Sequence, residues 1–143
     1  MQYWDTSALL KLYVPEPDSA QFAAHVNVPS ILTSELTRWE LLRAVVRKEM
    51  DQAIPANSAE AVFARFLSDV SLGRIGMLAS DTAVETRFRS LVLQLHRRQP
   101  PVVIWTMDAL HLATADLLKA TELVTTDTHL RAGAIAIGLK PYP

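Results

Sequence analysis

Along this chain, short apolar runs alternate with longer stretches whose apolar positions recur every three or four residues. Gln2–Trp4 reads as an opening strand. Thr6–Tyr13 reads as a helix, capped by Asp5 or Thr6 and ended by Pro15 and Pro17. Asp18–Val26 is a second helix, and Ile31–Thr33, after Pro29, a short strand. Ser34 opens a long helix over Glu35–Asp51, with Pro55 marking the break behind it. Ser58–Ser71 is helical, with Val62, Phe66 and Val70 on one side. Ile75–Leu78 is a strand, and Ser80 or Asp81 caps a helix running to Arg97. Beyond Pro100-Pro101 the pattern gives an extended run at Val102–Trp105, a helix at Asp108–Lys119 and a strand at Glu122–Thr126. A short helix at Thr128–Ala132 and a last edge strand at Ile135–Ile137 complete it. Strands alternating with helices predict an α/β fold with a parallel sheet.

The length sets the scale of that fold. With 143 residues, half of them hydrophobic, the whole chain from 1 to 143 is expected to form a single domain with an ordinary core. There is no cysteine, which excludes disulfides, thiolate catalysis and Cys-ligated zinc and suits a reducing cytoplasm. No apolar run approaches the roughly 20 residues of a membrane-spanning helix, and no basic-then-apolar leader opens the sequence. The formal charge of −1 counts against a generic nucleic-acid binder until the acids are located.

Two segments share one plan. Tyr3-Trp4-Asp5-Thr6-Ser7-Ala8-Leu9-Leu10 and Leu123-Val124-Thr125-Thr126-Asp127-Thr128-His129-Leu130 each run strand, Asp, hydroxyl, helix. Strand ends of a parallel sheet gather along one edge, where open α/β sheets place ligands, so Asp5 and Asp127 are predicted neighbours. Each also suits a helix N-cap, worth about 0.5–2 kcal/mol. Asp108 starts a helix that is apolar or small as far as Asp116, as expected of a buried element whose acid needs a partner or a cation. Glu40 lies on the long helix with Leu36, Arg43, Arg47 and Met50 on the same face. It reads either as half of a surface pair with Arg43 or as a carboxylate beside bases suited to phosphates.

Taken together, Asp5, Glu40, Asp108 and Asp127 would repel one another unless something positive sits among them. Oxygen donors without thiolates favour a hard cation, Mg²⁺ or Mn²⁺. Such an ion activates water and neutralises charge developing on a phosphate, which points to phosphodiester hydrolysis. The charge objection then weakens, because 14 basic residues face the other 11 of the 15 acids. Arg38, Arg43, Arg47 and Lys48 on one helix, with Arg97-Arg98, could meet an RNA or DNA backbone.

In length and motif order, nearly the whole chain resembles the PIN-domain nucleases, in particular the VapC-type toxins of toxin–antitoxin pairs. The likeness rests on Tyr3-Trp4-Asp5-Thr6-Ser7-Ala8-Leu9-Leu10-Lys11-Leu12, Glu40-Leu41-Leu42-Arg43-Ala44, Asp108-Ala109-Leu110-His111-Leu112-Ala113-Thr114-Ala115 and Leu123-Val124-Thr125-Thr126-Asp127. The resemblance implies a three-layer α/β/α sandwich with a central parallel sheet, and Mg²⁺- or Mn²⁺-dependent cleavage of RNA. It also implies a small VapB-like antitoxin whose C-terminal segment enters the acidic site, and a homodimer. Carried over, it makes Asp5 and Asp108 the principal metal ligands, with Glu40 and Asp127 completing the pocket directly or through waters. It gives Ser7 and Thr125 the orienting of a carboxylate or water, and Arg43 the basic place beside the glutamate. Ile104-Trp105-Thr106-Met107 is a bulkier lead-in to Asp108 than the pattern expects. The mechanism expected is attack of metal-bound water on phosphorus, giving 5′-phosphate and 3′-hydroxyl ends.

Other residues carry weaker signals. His111, three after Asp108, and His129, two after Asp127, allow a His/Asp zinc site as a minor alternative. Trp4, Trp39 and Trp105 read as core or dimer-interface packing before base stacking, and Asp116 as a surface acid. A haloacid-dehalogenase-type phosphotransferase would need a second Asp where Ser7 stands, and a receiver domain an acidic pair where Asp5 is alone. Two further readings are a PIN ribonuclease of RNA processing outside any toxin system and a catalytically degenerate PIN binding module.

Overall fold

The computed structural model describes residues 1–27, 29 and 31–143. The order of elements is β1 (Gln2–Trp4), α1 (Thr6–Leu10), α2 (Ser19–His25), β2 (Ile31–Ser34), α3 (Leu36–Met50), α4 (Ala59–Ser71) and β3 (Ile75–Leu78). There follow α5 (Thr82–His96), α6 (Thr106–Leu117), β4 (Glu122–Val124), α7 (Thr128–Ala136) and β5 (Lys140–Tyr142). The five strands form one sheet in the order β3-β2-β1-β4-β5, every pair parallel. The chain starts at the centre, moves outward through β2 to β3, then returns to the other side of β1 as β4. The direction of winding therefore reverses between β1 and β4, whose residues pair Gln2 with Glu122 and Trp4 with Val124. Reversal leaves a crevice at the carboxyl ends of those two strands, because the connections leave them toward opposite faces.

Successive strand residues face opposite layers, as the pleat requires. Trp4 and Val124 pack with Leu9, Phe22, Leu41, Val45 and Phe66 from α1–α4. Tyr3 and Leu123 pack with Leu91, Leu95, Leu112, Leu130 and Ala134 from α5–α7. The result is helices, sheet, helices: the three-layer α/β/α sandwich with a central parallel sheet. α6 is the buried helix its sequence predicts, with Ala109 and residues 111–115 all inside. Gly133 of α7 lets this helix close on α6, since a Cβ there would stand 2.9 Å from Leu112 Cδ2 and 3.0 Å from Ile104 Cδ1.

Two expectations need correction. Ile135–Ile137 is not the edge strand; α7 continues to Ala136, burying Leu130 and Ala134 one turn apart. Gly138, at φ +82°, then ends the helix, with the Leu139 N–H donating to the Ala134 carbonyl. The edge strand is Lys140–Tyr142, and Pro141, which lacks an N–H, is tolerated there because an edge leaves one side unpaired. Val102–Trp105 joins no ladder; it leads into α6, with Trp105 in extended conformation as the N-cap.

Candidate active site

A cleft of about 570 Å³ opens at the carboxyl end of the sheet, lined by Asp5, Glu40, Asp108 and Asp127 together with Ser7, Arg43 and His111. Its acids come from four places in the fold. Asp5 follows β1 and caps α1, its Oδ1 accepting the Ala8 N–H at 3.0 Å. Asp127 follows β4 and caps α7, accepting the His129 and Leu130 N–H groups at 2.8 Å each. Glu40 stands on α3, and Asp108 in the first turn of α6.

The Asp5 carboxylate is the most constrained. Ser7 Oγ donates to it, and Thr125 Oγ1 donates to its Oδ2 at 2.9 Å. Thr125 Oγ1 in turn accepts the Asp127 N–H at 3.0 Å, and Ser7 Oγ accepts the Thr126 N–H at 3.1 Å. Side chains from the two strand ends are thus laced together, with Asp5 in the middle. Burial pushes the Asp5 carboxyl up; His111 and these hydrogen bonds oppose the shift without cancelling it. Burial also raises Asp108, and the charges of Asp127, Asp5 and Glu40 add to that rise against His111. Glu40 goes the other way. Burial alone would raise it, but the His111 hydrogen bond and charge, with a hydrogen bond from Thr6, hold it below the usual range.

Among the described residues, no three Asp, Glu or His side chains stand close enough together to enclose an ion by themselves. The four acids instead share the walls of one open cleft. The donor set nonetheless fits a hard divalent ion: carboxylates only, two of them pushed up by burial, so that a bound cation would favour their ionised forms. His111 does not join that set. Its Nδ1 lies 2.6 Å from the Tyr3 hydroxyl and its Nε2 2.7 Å from Glu40 Oε2, so both nitrogens are already engaged. That arrangement argues against His111 as a zinc ligand.

All seven residues singled out from the sequence for this site lie in or against the cleft: Asp5, Glu40, Asp108 and Asp127 with Ser7, Thr125 and Arg43. Arg43 is exposed and makes no ion pair with Glu40; among the described residues it has none. Two of its neighbours are committed elsewhere, Lys48 to Glu16 at 2.6 Å and Arg47 to Asp51 at 3.3 Å. Asp116 pairs with Arg87 at 2.6 Å, away from the cleft. Of the tryptophans, Trp4 is fully buried, whereas Trp39 and Trp105 are 67% and 63% exposed. Sequence reasoning weighed His111 only as a zinc ligand, and it missed Tyr3 and Thr6. The available signal was spacing: His111 is one helical turn from Asp108 on an otherwise apolar helix.

This fold and cleft belong to a known class. The PIN domain family matches the chain over residues 3–135, and the chain is a member of it. Ribonucleases VapC46 and VapC47 of Mycobacterium tuberculosis are each 30% identical to it, both over 96% of this chain and over 92% and 93% of their own. Among solved structures, FitAcB from Neisseria gonorrhoeae superposes with a TM-score of 0.72 at 16% identity, over 100% of this chain and 97% of that one. A toxin–antitoxin complex from Klebsiella pneumoniae gives 0.65 at 19% identity with the same coverage. The sarcin–ricin-loop-cleaving toxin VapC20 of M. tuberculosis gives 0.67 at 17% identity, over 92% and 94% of the two chains. At such identities these structures share the fold.

Proposed function

We propose that this protein is a divalent-metal-dependent endoribonuclease and the toxin of a toxin–antitoxin pair. The observation that carries the chemistry is the meeting of Asp5, Glu40, Asp108 and Asp127 in one cleft, with Asp5 and Asp108 both held above the usual carboxylate range. Support for RNA as substrate comes from the two relatives named as ribonucleases. Asp5 and Asp108 would be the principal holders of Mg²⁺ or Mn²⁺, with Glu40 and Asp127 completing the set. When bound, the ion supplies an acidified water and neutralises charge building on the phosphate.

The chain's own groups do the rest. Ser7, Thr125 and the Ala8 N–H fix both oxygens of Asp5, so this carboxylate keeps one orientation. Arg43, exposed at the rim and free of ion pairs among the described residues, offers planar donors to a substrate phosphate. Attack by water in place of the neighbouring 2′-hydroxyl leaves 5′-phosphate and 3′-hydroxyl ends. A protein partner is part of the proposal, both an antitoxin and a second copy of the chain. It is supported by the exposed apolar strip of Trp39, Val46 and Met50 on α3 and by the toxin–antitoxin complex sharing the fold.

Incubating the purified chain with a mixed RNA pool tests this reading. Cleavage is expected with Mn²⁺ or Mg²⁺ and not in EDTA. Asp5→Asn, which keeps the cap acceptor, should cut the rate at least about a hundredfold while the fold survives. Metal-independent cleavage, or full activity of Asp5→Asn, would overturn it.

A further inference from the structure

The Glu40 carboxylate is gripped through one oxygen. Oε2 accepts the Thr6 hydroxyl and faces His111 Nε2 at 2.7 Å, while Oε1 receives no hydrogen bond among the described residues. Two trains of buried groups lead to Oε2. In one, the fully buried Tyr3 of β1 places its hydroxyl 2.6 Å from His111 Nδ1, the two rings meeting edge to face at 70°. In the other, Thr33 Oγ1 donates to the Trp4 carbonyl at 2.7 Å and lies 2.7 Å from Thr37 Oγ1, which stands 3.3 Å from Thr6 Oγ1. Both trains begin at β1, the strand that also positions Asp5.

The first train is fixed at its Glu40 end. Carboxylate Oε2 can only accept, so the imidazole proton facing it sits on Nε2. On the other side, Nδ1 and the Tyr3 hydroxyl share a hydrogen bond at 2.6 Å, and the fully buried Tyr3 ring holds that hydroxyl in place. An α3 glutamate with a flexible side chain is thereby fixed from the core of the sheet.

We propose that Tyr3 and His111 are positioning residues. They occupy Oε2 of Glu40 so that Oε1 is turned, unshared, toward the cleft as a donor for the divalent ion. This rests on the proposed role of Glu40 as a metal ligand. Any buried histidine needs partners for its nitrogens; what singles out His111 is that one partner is a carboxylate lining the cleft.

The test compares Tyr3→Phe, His111→Ala, His111→Gln and Glu40→Gln by Mn²⁺ titration of the purified chain and by RNA cleavage, with melting curves alongside. Glu40→Gln and His111→Ala should each weaken Mn²⁺ binding about tenfold, and Tyr3→Phe about threefold. The loss in cleavage should fall on kcat with KM for RNA unchanged. His111→Gln, whose amide can donate from the place of Nε2, should recover most of the Mn²⁺ affinity. If His111→Ala does not fold, Tyr3→Phe and His111→Gln decide the matter alone. Wild-type Mn²⁺ affinity in Tyr3→Phe, or no recovery in a folded His111→Gln, overturns the positioning role while a weakened Glu40→Gln leaves the metal reading standing. Wild-type binding and cleavage in Glu40→Gln removes both.

Discussion

Asp5 does two things with one side chain. It caps α1 through the Ala8 N–H, and it presents a carboxylate braced by Ser7 and Thr125 to the cleft. From the sequence, cap and chemistry looked like alternatives; in the fold the cap is what aims the acid. Asp108 is different, since it has no comparable set of donors, and its carboxyl is raised by burial and by Asp127, Asp5 and Glu40. A carboxyl raised in the folded state makes its ionised form a liability above the unfolded value. Asp108→Asn should therefore raise the Tm of the metal-free protein at pH 7 while abolishing cleavage. The gain fades as pH falls through the raised folded carboxyl and is nearly gone at about pH 3, where Asp108 is largely protonated folded or unfolded and the two proteins should melt alike. Melting curves in EDTA from pH 3 to 8 check both the gain and its disappearance.

At the scale of elements, the contact between α6 and α7 is set by a missing side chain. Gly133 brings α7 against Leu112, which is fully buried, and Ile104. Adding three carbons there must displace packed core atoms, and Asp127 caps the same helix, so the disturbance has a short path to the cleft. Gly133→Val should cost about 1–3 kcal/mol by chemical denaturation and lower activity in proportion to the unfolded fraction. The elements themselves were legible where periodicity and punctuation agreed: β1 before Asp5, the long α3 bounded by Ser34 and Pro55, and α6 with its apolar run. Ile135–Ile137 misled because three consecutive apolar residues do not separate a strand from a helix end. Gly138 was the better signal, as a glycine just past the last helical turn. The basic cluster on α3 was legible only in part. Lys48 and Arg47 look free in one dimension, yet Lys48 meets Glu16 across the fold and Arg47 meets Asp51 on its own helix. Likewise, nothing local tells that Tyr3 of β1 reaches His111 of α6, 108 positions away.

For the whole molecule, the reversal of winding between β1 and β4 explains why two strand-end aspartates meet at all. It also sets an electrostatic problem. The net charge is −1, and the cleft concentrates acids where a polyanion must enter on the proposed reading. The molecule cannot rely on a broad basic field. It has Arg43 at the rim and Arg38, five residues earlier and exposed on a different side of α3, both without ion pairs among the described residues, while Lys48 and Arg47 are spent on pairs within the chain. Attraction for RNA should thus be local and shallow, with a divalent ion providing the charge reversal inside the cleft. Each phosphate contact on a single strand contributes about −0.7 to the slope of log affinity against log salt, so two or three contacts give about −2. Measured as log kcat/KM against log KCl at fixed Mn²⁺, the slope should lie near that value, and Arg43→Ala should make it shallower by about 0.7. A slope steeper than about −4 would require a basic surface elsewhere on the molecule. An unchanged slope in Arg43→Ala would show that this arginine meets no phosphate.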